Sequence, residues 1–212
     1  MTKWLNFIDK IIYINLDRRV DRKREIEEQF TRLKIPSDKI IRFPAIPHQS
    51  GNVGCNMSHA AVLRLAHDLN LNNVLILEDD FNFIKDSDLV NSSLDEFVTL
   101  VENSLKWDAC LLINYAQITN KYNDLISRYI KSSNAAGYLV NKHLFLNLSQ
   151  TIHEAAEPLG RTGEHWNYQN DVVWCKYMAT GDWFVFNKSI GYQRISYSDL
   201  SQQVIDNSGG VE

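Results

Sequence analysis

The stretch Val74-Leu75-Ile76-Leu77-Glu78-Asp79-Asp80-Phe81 places four aliphatic residues directly before three consecutive carboxylates. A short aliphatic run of this kind reads as a buried β-strand. Acids this close repel one another and raise each other's pKa, so a cation or a ligand rich in hydrogen bonds is expected beside them. A solvated turn is the plainer reading of three such acids. Their position at the carboxyl end of a clean strand favours hard oxygen ligands, suited to Mg²⁺ or Mn²⁺ bridging a substrate diphosphate.

Outward from this strand the chain alternates. Upstream, IIYINL (Ile11 to Leu16) is a short apolar run. It is followed by DRRVDRKREIEEQFTRL, in which Val20, Ile26, Phe30 and Leu33 recur at roughly helical spacing among charges. KIIRFPAI (Lys39 to Ile46) predicts a second strand ended by Pro44 and Pro47, and from Gly54 the residues Met57, Ala61, Leu65 and Leu69 mark a helical face leading into the VLIL run. Downstream, Leu94, Phe97, Val101 and Leu105 suggest a helix, Ala109 to Ile113 a buried strand, Ala135 to Val140 another, and His143 to Leu148 a helix. This β-α-β-α-β order predicts an α/β fold with a mostly parallel, Rossmann-like sheet flanked by helices, as one domain over residues 1–212. Ligands in such sheets bind outside the carboxyl ends of the strands, where both NLDRR and EDD would lie.

Bulk properties narrow the function. A net charge of −4 on 212 residues offers no broad attraction to nucleic acid, so no nucleic-acid partner is expected. No apolar run is long enough for a signal-peptide core or a membrane span. Cys55, Cys110 and Cys175 are widely spaced and form no CxxC pair, which argues against a disulfide framework and for reduced thiols in a cytoplasmic setting. The Asn-x-Ser triplets at Asn56, Asn91, Asn147 and Asn187 then read as chance matches.

Two further segments carry candidate chemistry. In NLDRRVDR, Arg18, Arg19 and Arg22 sit at the start of a predicted helix; they are either a solvated basic face or guanidiniums that meet phosphate oxygens beside helix N-terminal amides. Asn15 could hydrogen-bond a base or ribose. In GNVGCNMSH (Gly51 to His59) two glycines, Ser58 and His59 precede a helix, and a lone histidine there is more often structural than a ligand.

YINLDRRVDR, then VGCNMSH, then VLILEDDF, in this order and at this spacing, resemble glycosyltransferase family 25, the group containing lipopolysaccharide galactosyltransferases and collagen β-galactosyltransferases. NAAGYLV, Asp171 in QNDVVW, and IGYQRISYSDLS match its remaining landmarks more loosely. The resemblance implies a GT-A-like fold and an inverting transferase of hexose, galactose or glucose, from a UDP-sugar donor to a glycan or glycoprotein acceptor, usually with Mn²⁺. Carried over onto this sequence, Asp80 would hold the metal, while Glu78 and Asp79 would contact ribose or order the loop. Asn15, Arg18 and Arg19 would lie along the nucleotide, Ser58 and His59 near the donor, and Gln193, Ser198 and Asp199 would close the site.

Chemistry asks for one more group. A departing nucleoside diphosphate builds negative charge that a divalent ion stabilises. An acceptor hydroxyl attacking the opposite face needs a carboxylate to take its proton. Candidates lie in GRTGEHWNYQND (Gly160 to Asp171): Asp171, which could instead cap a helix, and Glu164, with Trp166 and Tyr168 able to stack on a sugar ring or to pack in the core. A metal-dependent phosphohydrolase or nucleotidyltransferase using the same acids, and a carbohydrate-binding module without turnover, are the competing readings.

Overall fold

The computed structural model describes residues 2–115, 118–131, 134–198 and 203–205. In chain order the elements are α1 (Lys3–Phe7), β1 (Lys10–Asn15), α2 (Val20–Arg32), β2 (Ile40–Pro44), α3 (Gly51–Asp68), β3 (Asn73–Glu78), β4 (Phe81–Phe83), α4 (Ser87–Glu102), β5 (Ala109–Leu111), β6 (Ile118–Lys121), β7 (Ile126–Lys131) and β8 (Gly137–Asn141). They continue with α5 (Phe145–Thr162), α6 (His165–Tyr168), α7 (Asn170–Val173), α8 (Cys175–Thr180), β9 (Trp183–Phe186), β10 (Gly191–Gln193), β11 (Ser196–Ser198) and β12 (Gln203–Ile205).

Eight strands form one sheet in the order β2-β1-β3-β8-β5-β9-β7-β6. β1, β2, β3, β5, β6 and β9 run in one direction, with β7 and β8 against them, so the sheet is mostly parallel in strand sense. β8 lies antiparallel between β3 and β5, an insertion that a simple alternating pattern does not foresee.

Helices cover both faces, which is why the strands are apolar almost without interruption. Alternate residues of β1 and β3 serve opposite sides. Ile11, Tyr13, Leu75 and Leu77 pack with Phe30, Leu94 and Phe97 toward α2 and α4. Ile12, Ile14, Val74 and Ile76 pack with Leu63, Phe145 and Leu148 toward α3 and α5.

Helix limits differ from the periodic reading where local chemistry intervenes. α3 begins at Gly51 rather than after Gly54, so Ser58 and His59 lie inside the helix and not in a loop before it. α2 stops where Lys34 takes a left-handed backbone (φ 55°). α4 starts at Ser87, well ahead of Leu94 where the apolar spacing begins, since the Asp86 carboxylate accepts the Leu89 amide at 2.9 Å as an N-cap.

Past the acids, β4 turns aside to pair with β10 in a separate two-stranded ribbon, Gln193 opposite Phe81. The Arg194 amide donates to the Asp80 carbonyl at 2.9 Å, so the ribbon holds the backbone of the acidic tip. Phe81 is fully buried against the backbone of Gly137, where an added Cβ would lie 2.5 Å from its ring. Gly137→Ala is therefore expected to cost about 1–3 kcal/mol through overpacking. A urea titration checks this: the midpoint falls while its slope stays constant.

Candidate active site

The carboxyl ends of β1, β2 and β3 open on a cavity of about 350 Å³. Its lining includes Arg18, Arg22, Ser58, His59, Glu78, Asp79 and Asp80, so three segments far apart in sequence converge there. The volume lies in the range of small-ligand sites.

The three acids separate by strand alternation. Glu78 follows Val74 and Ile76 toward α3, where its Oε1 lies 3.1 Å from His59 Nε2 and 4.0 Å from Cys55 Sγ. Asp79 follows Leu75 and Leu77 toward α2, where Oδ1 accepts from Arg22 Nη1 at 2.9 Å and Oδ2 from Asn15 Nδ2 at 2.7 Å. Asp80, at the turn, also accepts from Arg22 Nη1, at 3.1 Å. The cation expected beside the acids is thus present in the chain itself: Arg22, only 7% exposed.

The fold gives several of the expected site residues defined partners. Asn15 is buried and its amide is fully engaged: Nδ2 donates to Asp79 and to the Arg19 carbonyl, and Oδ1 accepts from Arg42 Nε at 3.0 Å. It orders the acids from beneath and does not itself line the cavity. Arg19 pairs with Asp21 at 2.8 Å and does not line the cavity, whereas Arg18 does. Ser58 lines the cavity but donates to the Gly54 carbonyl at 2.7 Å and accepts from the Ile46 amide at 2.8 Å, fastening the 45–48 loop to α3. Gly54 permits that approach, because a Cβ there would meet the Ile46 carbonyl at 2.6 Å. His59 is buried, with Nδ1 3.0 Å from the Tyr138 hydroxyl.

Asp171 sits in the first turn of α7, whose N-cap is Gln169 rather than Asp171. Burial pushes its carboxyl up to about 6, with the Glu78 charge adding to the rise and His59 opposing it, and Asp171, like Glu164, lies outside the cavity lining. Glu164, the alternative base, lies outside the cavity lining and accepts from Asn167 Nδ2 at 2.9 Å. Trp166 is 63% exposed on α6, while Tyr168 packs beside Val53 and Leu159. Gln193 reaches the acids through the ribbon, accepting from Asn134 Nδ2 at 2.9 Å and favouring the charged form of Asp80. Ser198 is the last residue of β11, and Asp199 lies outside the described residues.

Two residues that periodicity could not flag complete the frame. Asn56 is fully buried; its Nδ2 donates to the Tyr168 carbonyl and its Oδ1 accepts from the Asn170 amide, both at 2.8 Å, clamping the segment that carries Asp171 onto α3. Arg42 ties Asn15 to Asp17, at 2.6 Å from the latter. An asparagine inside an apolar helix face was the available signal for the first, and nothing local marks the second.

The sequence profile described as "Glycosyltransferase family 25 (LPS biosynthesis protein)" matches residues 49–160, more than half of the chain. The chain belongs to glycosyltransferase family 25. The match spans α3, the acidic tip and β8, while the NLDRR segment and Asp171 lie outside it. A search of curated proteins finds no match.

Among solved structures, a glycosyltransferase involved in glycosylation of the major capsid of PBCV-1 superposes with a TM-score of 0.52 at 12% identity, over 83% of this chain and 80% of the other. That likeness establishes the GT-A-like fold of this family member. A197 from STIV (TM-score 0.47, 10% identity, 97% of both chains) is also similar, as is UDP-glucose pyrophosphorylase complexed with UDP-glucose (0.47, 10%, 87% of this chain and 92% of that one). As a family 25 glycosyltransferase, the protein takes a sugar donor and a glycan acceptor. Among the described residues no helix is long and apolar enough to cross a membrane.

Electrostatics of this family 25 site set its pH response. Burial pushes Asp80 up to about 7, with the Glu78 charge adding to the rise and Arg22 pulling the other way. An unfolded aspartate titrates near about 3.9. Between the two values the folded protein holds a proton that the unfolded chain has released, so stability falls as pH rises through this window. The urea midpoint is accordingly expected to be lower at about pH 8 than at about pH 5, and Asp80→Asn is expected to flatten most of that difference.

Proposed function

We propose that this glycosyltransferase moves a hexose, galactose or glucose, from a UDP-sugar to an acceptor hydroxyl on a glycan or glycosylated protein, inverting the anomeric centre with the help of Mn²⁺ or Mg²⁺. The observation that carries the reading is the convergence of Arg18, Glu78 and Asp80 on one cavity at the carboxyl ends of β1, β2 and β3.

Asp80 fits a divalent ion. Its Oδ1 is buried without a hydrogen bond of ordinary geometry, although the Gln193 amide lies close enough to favour its charge. A carboxylate held at about 7 by burial and a neighbouring acid regains its ordinary charge once a cation arrives. Glu78 lines the same cavity and its charge adds to the rise at Asp80, which a bound cation would relieve. When bound, the ion supplies neutralisation of the charge that develops on the leaving diphosphate.

The remaining work belongs to side chains. Arg18 gives the donor's phosphates a guanidinium partner at the cavity rim. Arg22 holds Asp79 and Asp80 in place and remains close to the developing charge. Asp171 takes the acceptor proton; with its carboxyl at about 6 it is ionised near neutrality yet basic enough to act.

Two variants test this. With Mn²⁺ and each of UDP-galactose and UDP-glucose, Asp80→Ala is expected to abolish metal-dependent release of UDP. Asp171→Asn is expected to lower transfer by about 10²–10⁴-fold while calorimetry shows Mn²⁺–UDP affinity unchanged. Wild-type transfer should rise with pH through about 6 as Asp171 ionises. Asp171→Asn transfer at the wild-type rate, or UDP release by Asp80→Ala at the wild-type rate, overturns the assignment.

A further inference from the structure

Beside the acidic tip lies a second cluster whose composition is not that of a diphosphate site. Cys55 and His59 stand four residues apart on α3, which puts them on one face of the helix. Glu78 meets them from the end of β3. Cys55 Sγ, His59 Nε2 and a Glu78 carboxylate oxygen all lie within 4.8 Å of one another. The closest approaches are 3.1 Å from His59 to Glu78 and 4.0 Å from Cys55 to Glu78. Tetrahedral zinc, with Zn–S near 2.3 Å and Zn–N near 2.0–2.1 Å, separates its ligand atoms by about 3.3–3.6 Å. Small side-chain rotations reach that spacing.

We propose that Cys55, His59 and Glu78 form a zinc-type metal site in the wall of the donor cavity, separate from the Asp80 carboxylate, with its fourth position open to the cavity. A thiolate, a carboxylate and a neutral imidazole balance the two positive charges of the ion, and the sulfur and nitrogen ligands select Zn²⁺ or Co²⁺ over Mn²⁺ or Mg²⁺. The imidazole is already aimed: its Nδ1 lies 3.0 Å from the Tyr138 hydroxyl, and the two rings stack at 5.9 Å between centroids. In the bound form Nδ1–H donates to that hydroxyl and leaves the Nε2 lone pair for the ion, the outer-shell arrangement that orients most metal-bound histidines. The Cys55 thiol proton passes to solvent as the S–metal bond forms. Entry is available, because all three residues line the cavity.

The site goes beyond the proposed transfer reaction, and the test separates the two. Purified protein is titrated with Co²⁺ alone and followed by absorption. The wild type is expected to show a near-ultraviolet thiolate-to-cobalt charge-transfer band together with intense visible bands of four-coordinate cobalt, both bleached by one equivalent of Zn²⁺. Cys55→Ser, shown folded by circular dichroism, is expected to lose the charge-transfer band, whereas Asp80→Ala keeps it. Tyr138→Phe is expected to weaken Zn²⁺ by about 10–100-fold in competition with a chromophoric chelator. Absence of the band in the wild type, its persistence in Cys55→Ser, or its loss in Asp80→Ala overturns the proposal.

Discussion

The buried contact between Arg22 and Asp79 is the constraint on which the rest of the site depends. Both groups are nearly excluded from solvent, with side chains 9% and 10% exposed, and each is costly to bury alone. Together, with Asn15 completing the Asp79 carboxylate, they join the end of β3 to α2 and to the end of β1. The geometry of the acidic tip follows from that junction, since Asp79 is pinned from below while its neighbours on either side are left to the cavity.

The three like charges line one cavity and still act on one another, but each meets its own set of partners. Strand alternation sends Glu78 to the α3 face and Asp79 to the α2 face, and the turn into β4 leaves Asp80 at the rim. Asp79 is held by two donors, Arg22 and Asn15, against a burial that raises it, while burial and the Glu78 charge push Asp80 up to about 7. The proposed binding of a cation and a diphosphate would use such a division, one acid to hold the frame and others to respond to ligand. Asn56 extends the same frame to the far wall by fixing the backbone that presents Asp171.

Much of this was readable from residue pattern. Aliphatic runs located β1, β3, β5 and β8, and the spacing of apolar residues located α2 and α4, because both faces of the sheet are covered; α3 was located too, but its buried face runs through Val53, Ala60, Leu63 and Ala66 rather than Met57, Ala61, Leu65 and Leu69. The resemblance to family 25 rested on three motifs whose order and spacing carry information that none has alone, and the profile match that shows membership covers the second and third of them. The antiparallel setting of β8 was not readable, since a fully buried strand has the same composition in either direction. Nor was the division among side chains. Arg18, Arg19 and Arg22 look alike in sequence, and only tertiary placement sends Arg22 inward to the acids, pairs Arg19 with Asp21 and leaves Arg18 at the cavity. Asn15 at a strand end, and Ser58 through the family resemblance, were read as lying near the donor; in the fold their hydrogen bonds are taken by Asp79, Arg42, Gly54 and Ile46.

A double-mutant cycle between Arg22 and Asp79 tests the central claim most directly. Arg22→Met is predicted to lower unfolding free energy by about 3–5 kcal/mol near neutral pH, because it leaves Asp79 buried without its charged partner, and Asp79→Asn by less, because Arg22 keeps Asp80 at 3.1 Å. The double variant is predicted to lose clearly less than the sum, with a coupling of about 1–3 kcal/mol. Strict additivity, or single losses below about 0.5 kcal/mol, would contradict the account, since the two residues would then not be holding the acidic tip between them.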